Sequence, residues 1–508
     1  MTFQKNLKEA VSNRFHGPNY HWWALAVTCL GTFMSAYDGG AVGISLPRIM
    51  TSFKTSLTMV SWVLLSYLLV TSALLLPTGR MGDIWGRKKI FSLGFAIFFT
   101  GSALCGLSQN QMQLILFRIF QALGAAMLQT SSFAIVTSVF PERDRGKALG
   151  YFASMAAVGI TSGPAIGGLI VSTLGWRSIF FLNVPLGLIG TVLAQLILKD
   201  ETFPEKSKKT LKHFDLPGAC ISAVAICGLL IGLTLGRQGN WFAYETCLSL
   251  GTAVAAMVIF PWFESRRAYP LVDMALFKNR TFSLNMIARF ICFLGTSCTA
   301  LLMPFFLQII LGFSAFKAGL LIAPVSLVYG IFSPISGWLA NYIRTQILSS
   351  AGMGLMALAF YLLSRLDLSS DYPGVLGRFV LLGIGWSIFQ TPNNTSIMDS
   401  VERNRFGITS GILAFVRQTG MALGVALGST IVVASMFSTV GRVSIYSLKQ
   451  DRGLLENTDA LIAFSAGIGK AFWVVCLLCI LGGVTTLLIG TTARDRGRHA
   501  QSSPPGDE

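Results

Sequence analysis

Residues 79 to 89 read Gly-Arg-Met-Gly-Asp-Ile-Trp-Gly-Arg-Lys-Lys and lie between two apolar stretches. Each stretch has about twenty residues, the length at which a helix crosses a lipid bilayer. The segment between them is therefore predicted to be a very short loop at a membrane surface. Its basic residues favour the cytoplasmic side. The glycines allow two helices to meet tightly, and Asp83 lies among cations with which it can pair.

The composition also indicates a membrane protein. Hydrophobic residues make up 53% of the 508 positions and charged residues only 12%, whereas about a quarter of a typical soluble domain is charged. The formal net charge of +17 would suggest nucleic acid as a partner if the protein were soluble. Here the Lys and Arg residues cluster between apolar runs, the distribution that sets membrane topology. We therefore expect no nucleic-acid partner.

About fourteen apolar runs are long enough to span a membrane. They begin near Trp22, Met59, Ile90, Met112, Lys147, Ser178, Leu216, Ala243, Ser283, Lys317, Gln346, Gly374, Gly407 and Ser465. If the N-terminus is inside the cell, the cytoplasmic connections and both tails hold most of the Lys and Arg residues. We expect a multi-pass protein of the inner (plasma) membrane with both termini in the cytoplasm and no cleavable signal peptide.

The chain contains an internal repeat. Three charged residues of the first half recur at a constant offset: Arg118, Glu142 and Arg143 correspond to Arg378, Glu402 and Arg403. Such repeats are typical of transporters built from two similar halves. We predict an all-α integral membrane fold of two six-helix bundles plus two inserted helices. Its parts are a cytoplasmic N-terminal segment (1–21), an N-terminal bundle (22–198), a linker with two additional spans (199–282), a C-terminal bundle (283–490) and a basic, disordered cytoplasmic tail (491–508).

The segment from Gly79 to Lys89 resembles the signature loop between the second and third helices of the major facilitator superfamily. The family pattern is Gly-x-Leu-x-Asp-x-x-Gly-Arg-Lys, and Met81 takes the place of the Leu. The twelve-plus-two arrangement of spans further resembles the fourteen-span drug:proton antiporter branch of that superfamily. The resemblance implies a transporter with a gate motif at the cytoplasmic surface that consists of Gly79, Asp83, Gly86, Arg87, Lys88, Glu142 and Arg143.

The fifth apolar run carries a second pattern, Gly-x8-Gly-x3-Gly-Pro-x2-Gly-Gly. It is similar to a motif that the antiporters of the superfamily carry and its uptake symporters generally lack. The matching residues are Gly150, Gly159, Gly163, Pro164, Gly167 and Gly168. Glycines spaced by four share one helix face, where a neighbouring backbone can approach closely, and a proline kinks the helix. Ordinary glycine-rich packing of membrane helices is the alternative explanation.

Two ionisable residues lie deep in the predicted spans, where charges are costly and usually functional. Asp38 lies about 22 Å from the inner end of its span and Arg118 about 9 Å from the outer end of its own, at 1.5 Å per residue. In a hydrocarbon core of about 30 Å these depths are similar. Desolvation and a nearby cation act in opposite directions on such a carboxylate, the balance that proton coupling needs.

The resemblance agrees with this interpretation. Asp38 takes the first-helix acidic position of the fourteen-span branch. Arg118, in Arg-x-x-Gln-x-x-Gly with Gln121 and Gly124, takes the position of the fourth-helix arginine that is implicated in proton transfer. A carboxylate that merely faces an outer vestibule, and an arginine that only ties helices together, are the alternatives.

The first span departs from the branch pattern after Asp38. Thr and Asn usually follow two and five residues on, but here these positions are Gly40 and Gly43. The usual cargo of the branch therefore cannot be assumed. Arg289 and Arg417 also look deep, with no second deep carboxylate. If both face inward they favour neutral, zwitterionic or anionic cargo, whereas helix ties or snorkelling are equally good explanations. Further candidates for a substrate cavity are Tyr37, Trp62, Tyr67, Gln129, Trp386, Phe389 and Asn393.

The sequence thus predicts a proton-coupled secondary transporter that exports small amphipathic compounds, in multidrug or toxic-compound efflux, by alternating access. Alternatives are an exporter of a specific metabolite, siderophore or lipid-like compound, and a proton-coupled uptake symporter. A membrane enzyme or lipid-remodelling protein would need a catalytic cluster at membrane depth, so we predict no enzyme. An idle sensor on the same fold would have no reason to keep Asp38 and Arg118.

Neither a cofactor nor a metal site is expected. The chain has no Gly-x4-Gly-Lys-Ser/Thr loop for a nucleotide, so the driving force should be an ion gradient rather than ATP. The nine cysteines lie in apolar runs and the four histidines lie outside them. We expect a monomer whose partners are cargo, protons and the lipid bilayer, with an adaptor protein if the source is a double-membrane bacterium.

Overall fold

The computed structural model describes residues 17, 19–199, 216–236, 243–267, 274–402, 405–440 and 458–489. The predicted terminal tail (491–508), most of the N-terminal segment and most of the charged linker after residue 199 lie outside these residues. So does Arg403. The side chains of Asp83, Glu142 and Arg143 also lie outside what the structure describes, although their backbones belong to helices.

Fourteen helices of twenty or more residues make up almost all of the described chain. They are α1 (Tyr20–Ser52), α2 (Leu57–Trp85), α3 (Arg87–Leu107), α4 (Gln111–Val139), α5 (Glu142–Thr173), α6 (Arg177–Ile197), α7 (Leu216–Gly236), α8 (Tyr244–Glu264), α9 (Arg280–Phe305), α10 (Ala315–Leu339), α11 (Thr345–Ser364), α12 (Tyr372–Asp399), α13 (Phe406–Val440) and α14 (Thr458–Leu487). A short 3-10 helix (Met274–Lys278) precedes α9, and a short π-helix (Phe306–Ile310) follows it.

Twelve helices of the described chain are long and apolar enough to cross a membrane. The helices α1 and α7 are not among them, so the predicted number of fourteen spans is not confirmed. α1 is 33 residues long and carries a buried aspartate, which lowers its apolar character. Several side chains of α7 are outside the described residues.

The segment from Gly79 to Lys89 is helical except at one residue. α2 runs to Trp85 and α3 begins at Arg87, so the connection is Gly86 alone. Its φ of 95° is a conformation that residues with a Cβ rarely adopt. The backbone N–H groups of Gly86 and Ile90 donate to the carbonyls of Gly82 and Gly86, which continues the hydrogen bonding across the turn. The predicted loop is therefore wrong in extent, because glycine lets the two helices adjoin directly.

Polar side chains begin several of the other helices. The side chain of Ser56 accepts from the N–H of Met59 at the start of α2, and that of Asn110 accepts from Gln113 at the start of α4. Asp371 does the same for α12. Such caps satisfy backbone donors that have no partner within the helix.

The helices belong to two compact units. The first contains α1 to α6 and the second contains α8, α9 and α11 to α14, while α7 and α10 are divided between them. In the first unit α1 packs on α5, and α3 packs on α4 and α6. In the second unit α9 packs on α13, and α11 packs on α12 and α14. The internal repeat therefore extends to the order of helix packing.

Glycine contacts repeat in the same way. On α13, Gly420 and Gly424 lie against the backbone carbonyls of Phe290 and Leu294 in α9. On α5, the corresponding glycines lie against the backbone of α1, as described below. The hydroxyl pair Thr78 and Thr130 in the first unit (3.3 Å) also has a counterpart in the second, Ser333 and Thr391 (2.9 Å).

The outer faces of many helices are apolar. On α6, for example, Leu188, Ile189 and Val192 are all about half exposed, as expected for side chains that meet lipid. In the first unit, Phe91, Phe95 and Phe98 of α3 are fully buried in a core that also contains Met34 of α1. The polar residues described next lie inside this unit.

Candidate functional site

A buried ion pair lies in the first unit. Nη1 of Arg118 on α4 lies 2.6 Å from Oδ2 of Asp38 on α1, and donates a hydrogen bond to it. Arg118 is fully buried and Asp38 is 1% exposed. Charges removed from water in this way are costly unless they are paired and hydrogen-bonded. The two residues that the sequence singled out for proton coupling are thus direct partners.

Two amides complete the shell around the carboxylate. Oδ1 of Asp38 accepts from Nε2 of Gln121 (3.1 Å) and from Nδ2 of Asn183 on α6 (3.0 Å). The Oε1 atom of Gln121 accepts from Nη1 of Arg118 (2.7 Å), and Nε2 donates to the hydroxyl of Ser102 on α3 (2.6 Å). Asn183 also donates to that hydroxyl, at 3.3 Å. We refer to Asp38, Arg118, Gln121, Asn183 and Ser102 as the carboxylate network.

Helix α2 also contacts the guanidinium of Arg118. Nε of Arg118 donates to the backbone carbonyl of Val63 (3.2 Å), and Cζ lies 4.2 Å from the ring centroid of Tyr67. A cation over an aromatic face is attracted by the ring quadrupole. Tyr67, predicted as a substrate-cavity residue, is 5% exposed and contacts Arg118. Four helices of the described chain besides α1 therefore contribute to the surroundings of the pair.

The carboxylate of Asp38 accepts hydrogen bonds and donates none, so the network fits its charged form. A proton on Asp38 would remove the charge that balances Arg118 and place an O–H group where other donors already point. The Oδ1 atom of Asn183 is buried without a hydrogen-bond partner. Rotation of that amide would turn an acceptor toward a protonated Asp38. In this structure the network thus supplies hydrogen-bond donors to both oxygens of Asp38.

The glycine motif of α5 packs on α1 on either side of Asp38. A Cβ built on Gly163 would lie 2.8 Å from the carbonyl oxygen of Tyr37 and 2.9 Å from Cα of Gly40. A Cβ on Gly159 would lie 2.8 Å from the carbonyl oxygen of Phe33. Separations below 3.0 Å are not tolerated, so these positions require glycine. In membranes such close backbone approach supplies much of the packing energy between helices.

The other residues of the glycine motif differ in their surroundings. Pro164 lies against Gly40, where a Cβ would come within 2.8 Å of the proline Cδ. Gly167 faces Ala41, and Gly168 faces the backbone of Ala315 within the same unit. Gly150, in contrast, has nothing near a built Cβ and is exposed. The glycine requirement thus applies to the later residues of the motif.

The predicted cytoplasmic motif is described in part. Nη1 of Arg87 donates to the backbone carbonyl of Ala134 near the end of α4, at 3.0 Å. Gly79 lies near Thr130, and Gly82 lies near Ser131. The role of the motif as a gate stays a prediction, because the side chains of Asp83 and Glu142 lie outside the described residues.

Three of the predicted substrate-cavity residues, Arg289, Trp386 and Arg417, lie in a cluster of the second unit. Arg289 on α9 is 7% exposed and lies 5.1 Å from the ring centroid of Phe293. Phe293 in turn meets Trp386 of α12 edge-on. Arg417 on α13 interacts electrostatically with Arg289. Both arginines are therefore at one place in the second unit.

The remaining cavity candidates are scattered. Tyr37 is 1% exposed and its hydroxyl has no hydrogen-bond partner. Asn393 is fully buried and donates to Oδ1 of Asn285 (2.9 Å). Phe389 is fully buried, and Trp62 and Gln129 are partly buried. The structure does not bring these residues together.

Sequence reasoning missed Asn183 and Ser102 as members of the network. Asn183 is the only polar residue between Ile179 and Leu188, and an amide in such an apolar run is a signal of its own. Ser102 has no comparable signal, because a serine in a membrane helix usually bonds to its own backbone.

This fold, with an ion pair buried in an apolar helical unit, defines a multi-pass membrane transporter. The chain belongs to the major facilitator superfamily, since the family model described as Major Facilitator Superfamily matches residues 28–425. Members of this family are transporters and not enzymes. The match concerns the superfamily as a whole, so membership of the fourteen-span branch stays a prediction.

Similar proteins include transporters with different cargo. The chain is 32% identical to the riboflavin transporter RibZ of Clostridioides difficile, over 92% of this chain and 97% of that one. It is 31% identical to the multidrug resistance protein Stp of Mycobacterium tuberculosis, over 82% and 76%. It is 29% identical to the tetracenomycin C resistance and export protein of Streptomyces glaucescens, over 83% and 77%.

A solved structure has the same fold. It is a bacterial homolog to the human lysosomal transporter Spinster in an inward-facing and unoccupied conformation. The TM-score is 0.68 at 18% identity, with 96% of this chain and all of that chain covered. At this identity the likeness concerns the fold alone.

Proposed function

We propose that the protein is a proton-coupled antiporter of the plasma membrane that exports small amphipathic compounds. The observation that carries this proposal is the buried pair of Asp38 and Arg118 within the carboxylate network. A buried carboxylate whose hydrogen bonds must change when it is protonated can exchange protons only together with a change of structure. Cargo that favours one of the two arrangements would then be exchanged for the proton.

The glycine packing of α5 supports the direction of transport. In the superfamily, the pattern of Gly159, Gly163, Pro164 and Gly167 is associated with antiporters. In this chain the pattern packs against the residues on either side of Asp38. The proposed coupling residue and the proposed antiporter motif therefore act on the same short part of α1.

The names of the relatives bear on the cargo class. Stp and the tetracenomycin C exporter are named for drug resistance or export, which supports amphipathic cargo. The riboflavin transporter, similar over nearly its whole length, favours a second candidate: a transporter with one metabolite as cargo. A panel that includes riboflavin as well as structurally unrelated drugs separates a narrow from a broad range.

We also propose fourteen membrane spans with both termini in the cytoplasm. α1 supplies Asp38 to the interior of the first unit and packs along α5. α7 is 21 residues long and contains no Asp, Glu, Lys or Arg, and it packs against α8 through Gly228 and Gly232. A helix of that length and composition can cross the hydrocarbon core.

Reconstitution tests the function directly. Purified protein in liposomes, with a pH gradient imposed across the membrane, should accumulate cargo against its own gradient while protons move in the opposite direction. A pH-sensitive dye inside the liposomes reports the proton movement. Cargo and protons moving in the same direction would establish the uptake symporter, and cargo transport that ignores the pH gradient would refute proton coupling.

A further inference from the structure

Among the described residues of the second unit, the buried cation of Arg289 has no carboxylate partner. Nη1 of Arg289 donates to Oδ1 of Asn394 (2.5 Å), and Nε donates to the backbone carbonyl of Leu413 (3.3 Å). Both acceptors are neutral. Arg289 takes part in neither of the salt bridges Arg118 with Asp38 and Arg405 with Glu402. No acid in the described part of the chain therefore balances its positive charge.

Arg417 adds a second positive charge next to the first. It interacts electrostatically with Arg289 and with Tyr329 of α10. A second cation next to the buried Arg289 repels it and adds to the cost that desolvation alone imposes. In a membrane segment such a charge is retained mainly where it serves a function.

A group of aromatic rings lies beside Arg289. The rings of Tyr329 and Trp386 are stacked, with centroids 4.4 Å apart and planes 27° from parallel. Phe293 meets Trp386 edge-on at 6.4 Å and also lies beside Arg289. Trp386 is 9% exposed, and its Nε1 has no hydrogen-bond partner. We refer to Arg289, Arg417, Phe293, Tyr329 and Trp386 as the arginine–aromatic cluster.

The two units therefore differ in the hydrogen-bond acceptors that surround a buried arginine. Arg118 has a carboxylate of the chain itself, whereas Arg289 has neutral oxygen acceptors and an aromatic face. An anion from outside would supply the missing charge and accept from the guanidinium in a bidentate geometry. A flat ring system on that anion would pack with the aromatic side chains, and an oxygen on it could accept from the indole N–H of Trp386.

We propose that the arginine–aromatic cluster binds the anionic group of a flat aromatic cargo, with Arg289 as the charged contact. This inference rests on the proposed export function, because it names the class of cargo. It excludes dications as preferred cargo, since they would meet two like charges. Trp386 and Tyr329 would contribute ring contacts, and these do not depend on the sign of the cargo charge.

Two dyes with the same xanthene ring system but opposite charge test this inference. Fluorescein is anionic and rhodamine 123 is cationic. Binding is measured by fluorescence anisotropy at equilibrium with the full-length protein in nanodiscs, without any ion gradient. The wild type should bind fluorescein about tenfold more tightly than rhodamine 123 or better, and Arg289→Gln should weaken fluorescein binding about tenfold while leaving rhodamine 123 unchanged or tighter. Arg289→Lys, which keeps the charge, should retain most of the selectivity.

Arg365→Gln is the matched control. It removes the same charge from the same unit at an exposed position beside Tyr361, and should leave the affinities of both dyes unchanged. Trp386→Phe keeps a ring but removes the unpartnered donor, and should weaken fluorescein binding by a smaller factor. It serves as the test if Arg289→Gln does not fold. The inference is overturned if fluorescein affinity is the same in the wild type and in the folded variants, or if both dyes are weakened alike.

Proton coupling is measured separately, so the two proposals fail in different ways. Binding of fluorescein that depends on Arg289, without any cargo-linked proton movement in liposomes, would support the cargo class and refute the export mechanism. Exchange of rhodamine 123 for protons in liposomes would support the export mechanism. If Arg289→Gln at the same time leaves the affinities of both dyes unchanged, the proposed cargo class is refuted.

Discussion

Arg118 and Asp38 are separated by 80 positions in the sequence but share a hydrogen bond of 2.6 Å with almost no exposure to solvent. The pair is not isolated, because Gln121 contacts both partners and Asn183 contacts the carboxylate. In the second unit Gly424 contacts the carbonyl of Leu294 as Gly163 contacts that of Tyr37 in the first. In the repeat, Gly295 therefore corresponds to Asp38. The carboxylate is thus a feature of one half of the repeat.

Replacing Asp38 by Asn should abolish proton-driven export, because the side chain keeps its shape and loses the proton-binding group. It should also destabilise the protein, since an uncompensated buried arginine costs about 3–5 kcal/mol. The double variant Asp38→Asn with Arg118→Gln removes both charges and should recover much of the thermal stability. Export in liposomes and the melting temperature are measured for both. Recovery of export along with stability would show that the pair is only a structural tie.

Replacing Asn183 by Ala should slow transport and lower stability by about 1–3 kcal/mol, because a buried donor to Asp38 and to Ser102 is lost. Ser178→Ala on the same helix is the control, since the hydroxyl of Ser178 donates to the backbone carbonyl of Leu174 and not to a member of the carboxylate network. Its effect should stay within about 0.5 kcal/mol. Equal transport rates in the two variants would show that transport does not depend on the hydrogen bonds of Asn183.

Replacing Gly163 by Ala should already disturb packing, because the Cβ would lie under 3.0 Å from the backbone of α1. Leu at this position should be more severe and leave an inactive or proton-leaky protein with insertion intact. Gly150→Ala, in the same motif but with open space around it, should be silent. Cargo efflux from energised cells and passive proton leak in liposomes are the measurements. Full efflux with Leu at Gly163 would show that this contact is dispensable.

Replacing Gly40 by Thr, the residue that the related branch usually has, should inactivate the protein, because the Cβ would collide with Pro164. Gly39→Thr tests the neighbouring position, where nothing lies within 4 Å of a built Cβ. Only the change at Gly40 should reduce efflux and melting temperature. If both variants are equally active, close packing does not explain the departure of this chain from the branch pattern.

The residues that could be predicted from the sequence are those whose charged side chains have a high free-energy cost in a membrane. Asp38 and Arg118 stand out as charges at membrane depth, and their similar depths predict that they lie close together. The role of Gly40 could not be predicted in this way, because glycine is needed there for close packing against α5. That requirement depends on the neighbouring helix and not on the chemistry of the residue itself. The role of Ser102 could not be predicted for a similar reason: its partners Gln121 and Asn183 lie on two other helices, and the fold alone brings them together.

The backbone contact between α1 and α5 has a mechanical consequence. Where Gly159 and Gly163 meet the carbonyls of Phe33 and Tyr37, there is no side chain whose rotamer could absorb a displacement. If α1 turns when Asp38 takes up a proton, as the proposed mechanism requires, we expect α5 to move with it as a rigid helix, because close-packed interfaces change by discrete steps. Because backbone meets backbone at these glycines, a displacement of one helix should pass to the other without being taken up by side-chain motion.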